Sequence, residues 1–352
     1  MVRMHRISLL IGMVLFALVP IGALYAQEDT SISLSDCRAV LGGEVDVSLS
    51  AEEWHRCALL EMAAGQPDMA IACFNRINAK KKTTSILLDE VDALLKAYRF
   101  DEATKLVEQL RKKRNSRNAA DSLQKEISRI KRFVDNCVSL EIIDSLRIER
   151  LESLASKRLL SGEWGRISFS DVTGDWIYQT ALGYETFYTK LDENGVCRIY
   201  YRRSLGNNEI IEEREVEELN SNRGSFYPIL RQDGETLYFA AYSDDGMGKL
   251  DLYVSRRDPY TRKFLQPTML GTPFNSPYDD CILIYDDVTG KGILGTNRFA
   301  PQGEFNLYTF VIKDFFPPVP ANSVNEKLIQ AKLMPWRLLQ PEKDSSNYTS
   351  FY

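Results

Sequence analysis

Two residue patterns in separate halves of the chain predict an α+β protein with more than one domain. From about residue 51 to residue 160, apolar side chains recur three and four positions apart, which is typical of amphipathic helices. Beyond residue 163, Tyr, Phe, Thr and Val alternate with polar residues and are interrupted by Gly, Asn and Asp, which indicates short antiparallel strands. A length of 352 residues is enough for two domains. We therefore expect a helical segment followed by an all-β segment.

The first 26 residues have the order of a secretory signal peptide. Arg3 and Arg6 make a positive start, residues 7–18 are almost all apolar, and a small-residue cleavage site ends at Ala26. An uncleaved anchor helix is the alternative, although the apolar run is shorter than the ~20 residues that span a bilayer. We expect cleavage near Ala26, no lipid anchor because no Cys lies at that site, and no later membrane-spanning segment.

Charge and residue counts exclude several function classes. Removing the two arginines of residues 1–26 from the 44 basic residues leaves 42 against 49 acidic ones, a net charge of −7. Nucleic-acid binding is not expected, because phosphates need clustered Lys and Arg, and the basic residues 111–117 are interpreted as a solvated helix end. Six cysteines could form disulfides in an oxidising compartment, but Cys197 and Cys281 equally suit buried thiols. No metal site is expected, since His55 is the only histidine after residue 26.

The helical half is predicted to form consecutive helix pairs. Asp68-Met69-Ala70 is matched 33 residues later by Asp101-Glu102-Ala103, and each triplet begins a helix with an acidic residue at its positive end. Residues 138–151 fit either a helix or a short strand, and we interpret them as the joint between the two halves. The predicted helices are residues 51–64, 67–77, 84–96, 101–114 and 118–136.

This period resembles that of tetratricopeptide repeats, whose unit is ~34 residues. The resemblance implies stacked helix pairs with a concave groove, and generic antiparallel helices are the alternative. The matching positions are Leu59, Leu60, Ala63, Gly65, Ala70 and Phe74 in the first unit, and Leu94, Tyr98, Ala103 and Val107 in the second.

The β half carries hairpin signals and an internal repeat. Asn194-Gly195 and Asp233-Gly234 predict two-residue turns, and Thr289-Gly290 predicts a weaker one, because such turns need positive φ. Gly-Lys-Leu-Asp-Leu-Tyr at residues 248–253 recurs 55 residues later as Gly-Glu-Phe-Asn-Leu-Tyr at residues 303–308. Repeated antiparallel units of this kind predict a propeller-like domain of about three blades. The blades are placed at residues 171–217, 226–268 and 278–312.

A closed propeller usually takes about four or more blades. Either residues 138–169 hold a fourth blade, or the ring is incomplete and leaves sheet edges that need covering.

Three stretches of the β half resemble the WD40-like β-propeller repeats of exported bacterial proteins. They are residues 227–240, residues 246–255 and the connector at residues 270–280. Helical repeats followed by such a propeller are similar to periplasmic envelope proteins of the Bacteroidota, some of which serve type IX secretion. The resemblance implies a periplasmic envelope protein, with outer-membrane association as an alternative. Some relatives carry an OmpA-like domain that is not recognisable in this sequence, so direct peptidoglycan binding is not expected.

The expected division is a signal peptide at 1–26, tetratricopeptide-like helical hairpins at 27–162, propeller-like repeats at 163–314 and an extended tail at 315–352. The tail begins with Phe316-Pro317-Pro318-Val319-Pro320, which favours a polyproline-like path. Its aromatic end is interpreted as disordered, as a docking peptide or as packed on the β half.

Neither catalysis nor a cofactor is expected. The sharpest enzyme hypothesis is a propeller glycosidase, which needs paired carboxylates. Most candidate acids lie in turns, where Asp serves the backbone. His55 is isolated from any nucleophile motif, and Asp244-Asp245-Gly246 lacks the ligand spacing of a calcium loop. The candidate acids are Asp244, Asp245, Asp251, Asp279, Asp280, Asp286 and Asp287.

We therefore expect a non-enzymatic protein–protein binding or scaffolding role, because helical grooves and propeller loops both hold proteins. The expected contact residues are Tyr98, Arg99, Phe100, Asp244, Asp245, Lys249 and Arg298. A glycan-binding or glycoside-processing protein is the alternative, with exposed aromatic residues such as Trp164, Trp176 and Trp336 as candidates.

Overall fold

The computed structural model describes residues 32–113, 115–156, 164–170, 173, 175–206, 209–286, 288–312, 319 and 324–333. The expected signal peptide and most of the expected tail lie outside these residues.

Six helices follow one another up to residue 135, and cap residues mark several of their starts. Ser33 and Ser50 each form a capping box, in which the Ser side chain accepts from the third helical amide and Asp36 or Glu53 accepts from the Ser amide. The five predicted helices are confirmed within three residues at each end, and α1 is an additional one. The helices are α1 Leu34–Gly42, α2 Ala51–Ala63, α3 Pro67–Arg76, α4 Thr84–Lys96, α5 Phe100–Arg111 and α6 Arg117–Asp135, with a 3-10 turn at Ala79–Lys81.

One disulfide, Cys37–Cys57, joins α1 to α2. The ion pair between Arg38 Nε and Glu61 Oε1, at 2.8 Å, supports the same contact. The remaining four cysteines are buried free thiols, which confirms that interpretation for Cys197 and Cys281.

Thirteen strands among the described residues form three antiparallel sheets. The strands are β1 Glu141–Ile148, β2 Arg166–Phe169, β3 Trp176–Gln179, β4 Glu185–Leu191, β5 Cys197–Ser204, β6 Ile210–Glu215, β7 Ser225–Leu230, β8 Thr236–Tyr242, β9 Leu250–Arg256, β10 Thr268–Met269, β11 Asp280–Tyr285, β12 Lys291–Thr296 and β13 Phe305–Val311. Sheet 1 has the order β2-β3-β4-β5-β6, sheet 2 the order β10-β9-β8-β7, and sheet 3 the order β1-β13-β12-β11. Two short helices complete the described chain, α7 Ser153–Ser156 and α8 Val324–Ala331, with a 3-10 turn at Glu217–Leu219.

The ambiguous segment at residues 138–151 is largely a strand. Its central part forms β1, which pairs with β13 from Glu141↔Val311 to Ile148↔Phe305 and becomes the outer strand of sheet 3. Further along, β2 joins sheet 1. The hypothesis of a fourth blade in residues 138–169 is therefore wrong for the described residues, which form three sheets and no closed barrel or propeller.

The hairpin signals locate the turns correctly, but the connections are longer than two residues. Gly195 and Gly234 have φ of 75° and 71°, as such turns require. Residues 192–196 separate β4 from β5, because Asp192 Oδ1 accepts from the amides of Asn194 and Val196 and holds a wider loop. Asp233 does the same between β7 and β8.

The three sheets pack side by side, with one outer strand of sheet 2 against sheet 1 and one outer strand of sheet 3 against sheet 2. β7 contacts β3, β4 and β5 of sheet 1, and β11 contacts β7, β8 and β9 of sheet 2. Trp176 Nε1 donates to Pro228 O at 3.2 Å, and Tyr178 OH donates to Leu230 O at 2.7 Å, which links sheet 1 to β7. One hydrophobic core contains residues of all three sheets.

The helices cover one end of the sheets, which we name the proximal end. It consists of the β8–β9 and β12–β13 connections, residues 243–249 and 297–304. Gln302 N donates to Ala63 O at 2.7 Å, and Met247 is buried in the core of the helices. Gly65 lies so close that a Cβ there would be 2.5 Å from Ala300 O.

The opposite, distal end carries the connections that alternate with these along each sheet, since successive turns of an antiparallel sheet alternate between its ends. It consists of the described residues 180–184, 205–206, 209–211, 231–235, 257–267, 286 and 288–290. Contacts between Glu185 and Arg257, and a cavity lined by both Arg231 and Asp286, show that the distal ends of the three sheets lie together.

Candidate functional site

Arg298, one of the expected contact residues, is fully buried where sheet 3 meets α8. Its Nη2 donates to Asp280 Oδ1 at 2.9 Å and to Pro273 O at 3.1 Å, and its Nη1 donates to Ala331 O at 2.6 Å. Asp280 is also fully buried and accepts a further hydrogen bond from Ser276 Oγ at 2.8 Å. Arg298 therefore lies in the interior, where its hydrogen bonds link sheet 3 to α8.

The structure brings Tyr98 to the same place. Tyr98 is buried, has a φ of 62°, and donates from its OH to Ala331 O at 2.8 Å. Ala331 O thus accepts from both Tyr98 and Arg298. Phe100 is buried against Tyr98 with its ring at 6.0 Å, edge to face. Only Arg99 of this trio reaches the surface, where its Nε donates to Glu102 Oε1 at 2.6 Å.

Asp244, Asp245 and Lys249 are exposed on the connection that faces α6. Asp244 pairs with Arg223, and Arg129 Nη1 of α6 donates to Asp244 O at 2.9 Å. These three side chains lie at the proximal end. They form a surface separate from the interior cluster of Tyr98 and Arg298.

Asp251 is a buried acid next to that connection. Its Oδ1 accepts from the amides of Met247 and Gly248, both at 3.3 Å, whereas its buried Oδ2 has no hydrogen-bond partner in the described structure. Burial, reinforced by the negative charge of Asp280, raises the pKa of Asp251 to about 7. Gly246 is required here, because a Cβ would be 1.9 Å from Asp251 Oδ2.

The candidate acids that the structure describes do not form a catalytic pair in an open pocket. Asp251 and Asp280 are buried, Asp286 accepts from the Val288 amide in its turn, and Asp287 lies outside the described residues. His55 Nε2 is 2.8 Å from Asp89 Oδ2 on the helices. Within the described ranges, no three His, Cys, Asp or Glu side chains are grouped to hold a metal ion.

A charged recess lies between the outer strands of sheet 1 and the β9–β10 connection, with a volume of about 560 Å³. One wall carries Arg257, Arg262 and Lys263, and the other carries glutamates of β6 and the following turn. The recess thus places positive charge opposite negative charge. Its lining residues are Tyr201, Glu212, Arg214, Glu215, Glu217, Glu218, Arg257, Thr261, Arg262, Lys263 and Phe264.

Arg257 is held rigidly at the inner side of this recess. Its guanidinium lies 5.0 Å from the Phe264 ring centroid and 5.4 Å from that of Tyr201, and Nη1 donates to Glu185 Oε1 at 2.8 Å. Glu185 also accepts from Tyr201 OH and pairs with Arg262. Burial raises the pKa of Glu185, but the hydrogen bond from Tyr201 and the two arginines outweigh burial and lower it.

Exposed apolar side chains gather at the distal end. Leu182, Tyr260 and Val288, one from each sheet, are 80 %, 94 % and 87 % exposed at the tips of three connections. Five further large apolar residues at this end are exposed, namely Tyr184, Leu205, Ile210, Ile211 and Leu265. Such a concentration marks an interaction surface more often than scattered apolar residues do.

Sequence reasoning missed the recess and the distal apolar residues. Glu185 and Arg257 are 72 residues apart, and no local motif relates them. The only sequence signal was an apolar residue inside each turn, such as Leu182 or Val288, where polar residues are usual.

No protein-family model matches the sequence, and no curated protein or solved structure matches it either. Among the described residues, no helix is long and apolar enough to span a membrane.

Proposed function

We propose that this chain is an exported, non-enzymatic cell-envelope protein that binds partner proteins and acts as a scaffold. The observation that carries the proposal is the distal end of the sheets. It presents eight exposed large apolar residues beside a charged recess, while the helices occupy the proximal end. An apolar surface bordered by charged groups has the composition of a protein-binding surface.

Export to the periplasm is part of this proposal. The signal-peptide order of residues 1–26 supports it, and so does the Cys37–Cys57 disulfide, because disulfides persist mainly in oxidising compartments. An outer-membrane or secretion-associated assembly is the proposed setting, by resemblance to envelope proteins of the Bacteroidota.

The finer architecture that we propose is tetratricopeptide-like hairpins joined to an incomplete, propeller-like stack of three blades. Ala70 and Ala103, equivalent in the two helical units, are both fully buried, as close helix packing requires. The repeated segments at residues 248–253 and 303–308 also place equivalent side chains in equivalent positions. Asp251 at the start of β9 and Asn306 at the start of β13 are both buried, and each hydrogen-bonds to a backbone group of the connection that precedes its strand.

The partners that we propose are envelope proteins, rather than nucleic acid or peptidoglycan. The test is affinity capture from envelope extracts with the chain starting at residue 27 as bait. We expect wild type to recover defined proteins in a constant molar ratio. The variant Leu182→Asp/Tyr260→Asp/Val288→Asp should lose them, because charges at the three tips oppose apolar contact.

The matched control is Val324→Asp, which places the same charge on an exposed residue of α8. Unchanged recovery by the triple variant, or equal loss with the control, would contradict the proposal.

A polar-ligand site is the second candidate, and the recess of about 560 Å³ favours it. Tyr201 and charged groups on both walls suit a glycan or another polar molecule. Trp176 is buried and Trp164 is partly buried against the core of the sheets, so the recess is a better place for such a ligand than either; Trp336 lies outside the described residues. Screening glycans for binding and for hydrolysis, with Lys263→Ala as the comparison, tests this candidate. A glycan that binds wild type and not Lys263→Ala would favour it over protein binding.

A further inference from the structure

The strand β6 forms one edge of sheet 1. It pairs with β5 from Tyr200↔Glu215 to Ser204↔Ile210, and no other described strand lies beside it. In an antiparallel pair, the amides of successive residues point alternately toward and away from the neighbouring strand. Val216 N donates to Ile199 O at 2.9 Å, so the amide of Val216 points toward β5. By that alternation, the amides of Glu213 and Glu215 point away from β5. The edge therefore offers the amides of Glu213 and Glu215 to another strand, whereas Glu215 O already accepts from Arg214 Nη1 at 3.2 Å.

The distal part of this edge is the least protected. Proteins usually guard an open edge with charged side chains, proline, a bulge or a covering segment. β6 has charged residues from Glu212 to Glu215 and a register shift opposite Arg203 and Ser204, but it contains neither lysine nor proline, and Ile210 and Ile211 at its start are both exposed. Leu205 and Tyr184 are exposed on the neighbouring connections, and Ser204 N donates to Tyr184 O at 2.9 Å. Apolar side chains thus border the open edge at its distal corner.

The charge along β6 is strongly negative. Residues 209–218 contain six glutamates and one arginine. Arg202 pairs with Glu213, Arg203 with Glu212 and Arg214 with Glu218. No described Lys or Arg forms an ion pair with Glu215 or Glu217. An incoming strand that alternates basic and apolar residues would complement both the charge and the exposed isoleucines.

This charge argues against pairing between two copies of the chain. An antiparallel β6–β6 pair would set glutamates opposite glutamates, and like charges directly across strands are destabilising. Of the other outer strands, β1 in sheet 3 is the longest, and it carries two acidic residues and one arginine, Glu141, Asp144 and Arg147. Of these two edges, β6 is thus the one suited to a basic partner, which would have to bind on the side of the glutamates away from Arg262 and Lys263.

We propose that β6 accepts an extended, basic and apolar segment of a partner protein as a sixth strand of sheet 1. This inference rests on the proposed protein-binding function and names its chemistry. Backbone hydrogen bonds would supply affinity, and the glutamates and isoleucines would supply selectivity.

The test uses synthetic ten-residue peptides and the chain starting at residue 27. A peptide of alternating lysine and valine should bind, whereas peptides of alternating glutamate and valine, or of lysine and proline, should not. Binding should slow hydrogen exchange at the amides of Glu213 and Glu215. Ile211→Lys should weaken binding about tenfold, because it removes one apolar contact and adds one repulsion with the basic peptide. A tenfold higher Kd corresponds to a loss of ~1.4 kcal/mol in binding free energy. Ile143 on β1 is also exposed, and the control variant Ile143→Lys should bind the basic peptide as wild type does.

Four results would overturn the inference. The acidic peptide could bind as well as the basic one, or Ile211→Lys could bind unchanged. Slow hydrogen exchange at the amides of Glu213 and Glu215 in the free protein would mean that the edge is already covered. The cover would be a second copy of the chain if the exchange rate depends on protein concentration, and a segment of the same chain if it does not. Envelope partners that Ile211→Lys still captures, while the triple distal variant loses them, would refute strand addition and leave the proposed function standing.

Discussion

Arg298 and Asp280 form an ion pair, 2.9 Å from Nη2 to Oδ1, in which neither side chain has any exposed surface. The pair joins the loop after β12 to the start of β11, and Arg298 continues the link to α8 through Ala331 O. Two residues chosen from sequence as surface contacts, Tyr98 and Arg298, thus meet in the interior on one carbonyl oxygen.

Arg298→Met should lower the free energy of unfolding by about 3–5 kcal/mol, because it leaves Asp280 buried without its counter-charge. Urea unfolding followed by tryptophan fluorescence measures this loss. The double variant Arg298→Met/Asp280→Asn should be more stable than the single one. Equal stability of the two variants would show that the unpaired charge is not the cause.

The buried Asp251 should make stability depend on pH near neutrality. Its pKa is about 7 in the folded protein, against ~4 for an aspartate in an unfolded chain. Between these values the folded state holds a proton that the unfolded state has released, so the free energy of unfolding falls as pH rises from about 4 to about 7.

Wild type should therefore lose more stability between pH 5 and pH 8 than Asp251→Asn, which cannot ionise. Urea midpoints at the two pH values measure the difference. The same pH dependence in both proteins would contradict this role of Asp251.

The disulfide between Cys37 and Cys57 should stabilise the first two helices. It closes a loop with a sequence separation of 20 residues, and such a loop is worth ~3 kcal/mol through the entropy of the unfolded chain. Thermal unfolding with and without reductant measures it. The double variant Cys37→Ser/Cys57→Ser should unfold at the temperature of reduced wild type, and reductant should not lower it further. A reductant effect that persists in the variant would point to another cause.

The helices were predictable from sequence because their signals are local. Apolar residues at helical spacing and the matched triplets at 68–70 and 101–103 predicted them, and the small Ala70 and Ala103 are fully buried as close packing requires. β1 was not predictable, because its partner β13 lies more than 150 residues away and its own pattern fits two structures. The recess depends on contacts of the same kind, since Arg262 reaches Glu185 across 77 residues.

The sequence could place the expected contact residues near turns, but it could not predict which of their side chains are exposed. Asp244 and Arg298 both follow strands, and one is exposed while the other is buried. The difference arises because α8 and residues 272–280 cover Arg298, whereas the connection around Asp244 extends beside α6.

The central claim is that the distal end of the sheets is the partner-binding surface. Site-specific photo-crosslinking tests it most directly, with the photoreactive residue at position 260 in one protein and at position 324 in another. The account predicts discrete crosslinked envelope proteins from position 260 and none of these from position 324. Adducts from position 324 with none from position 260 would contradict it.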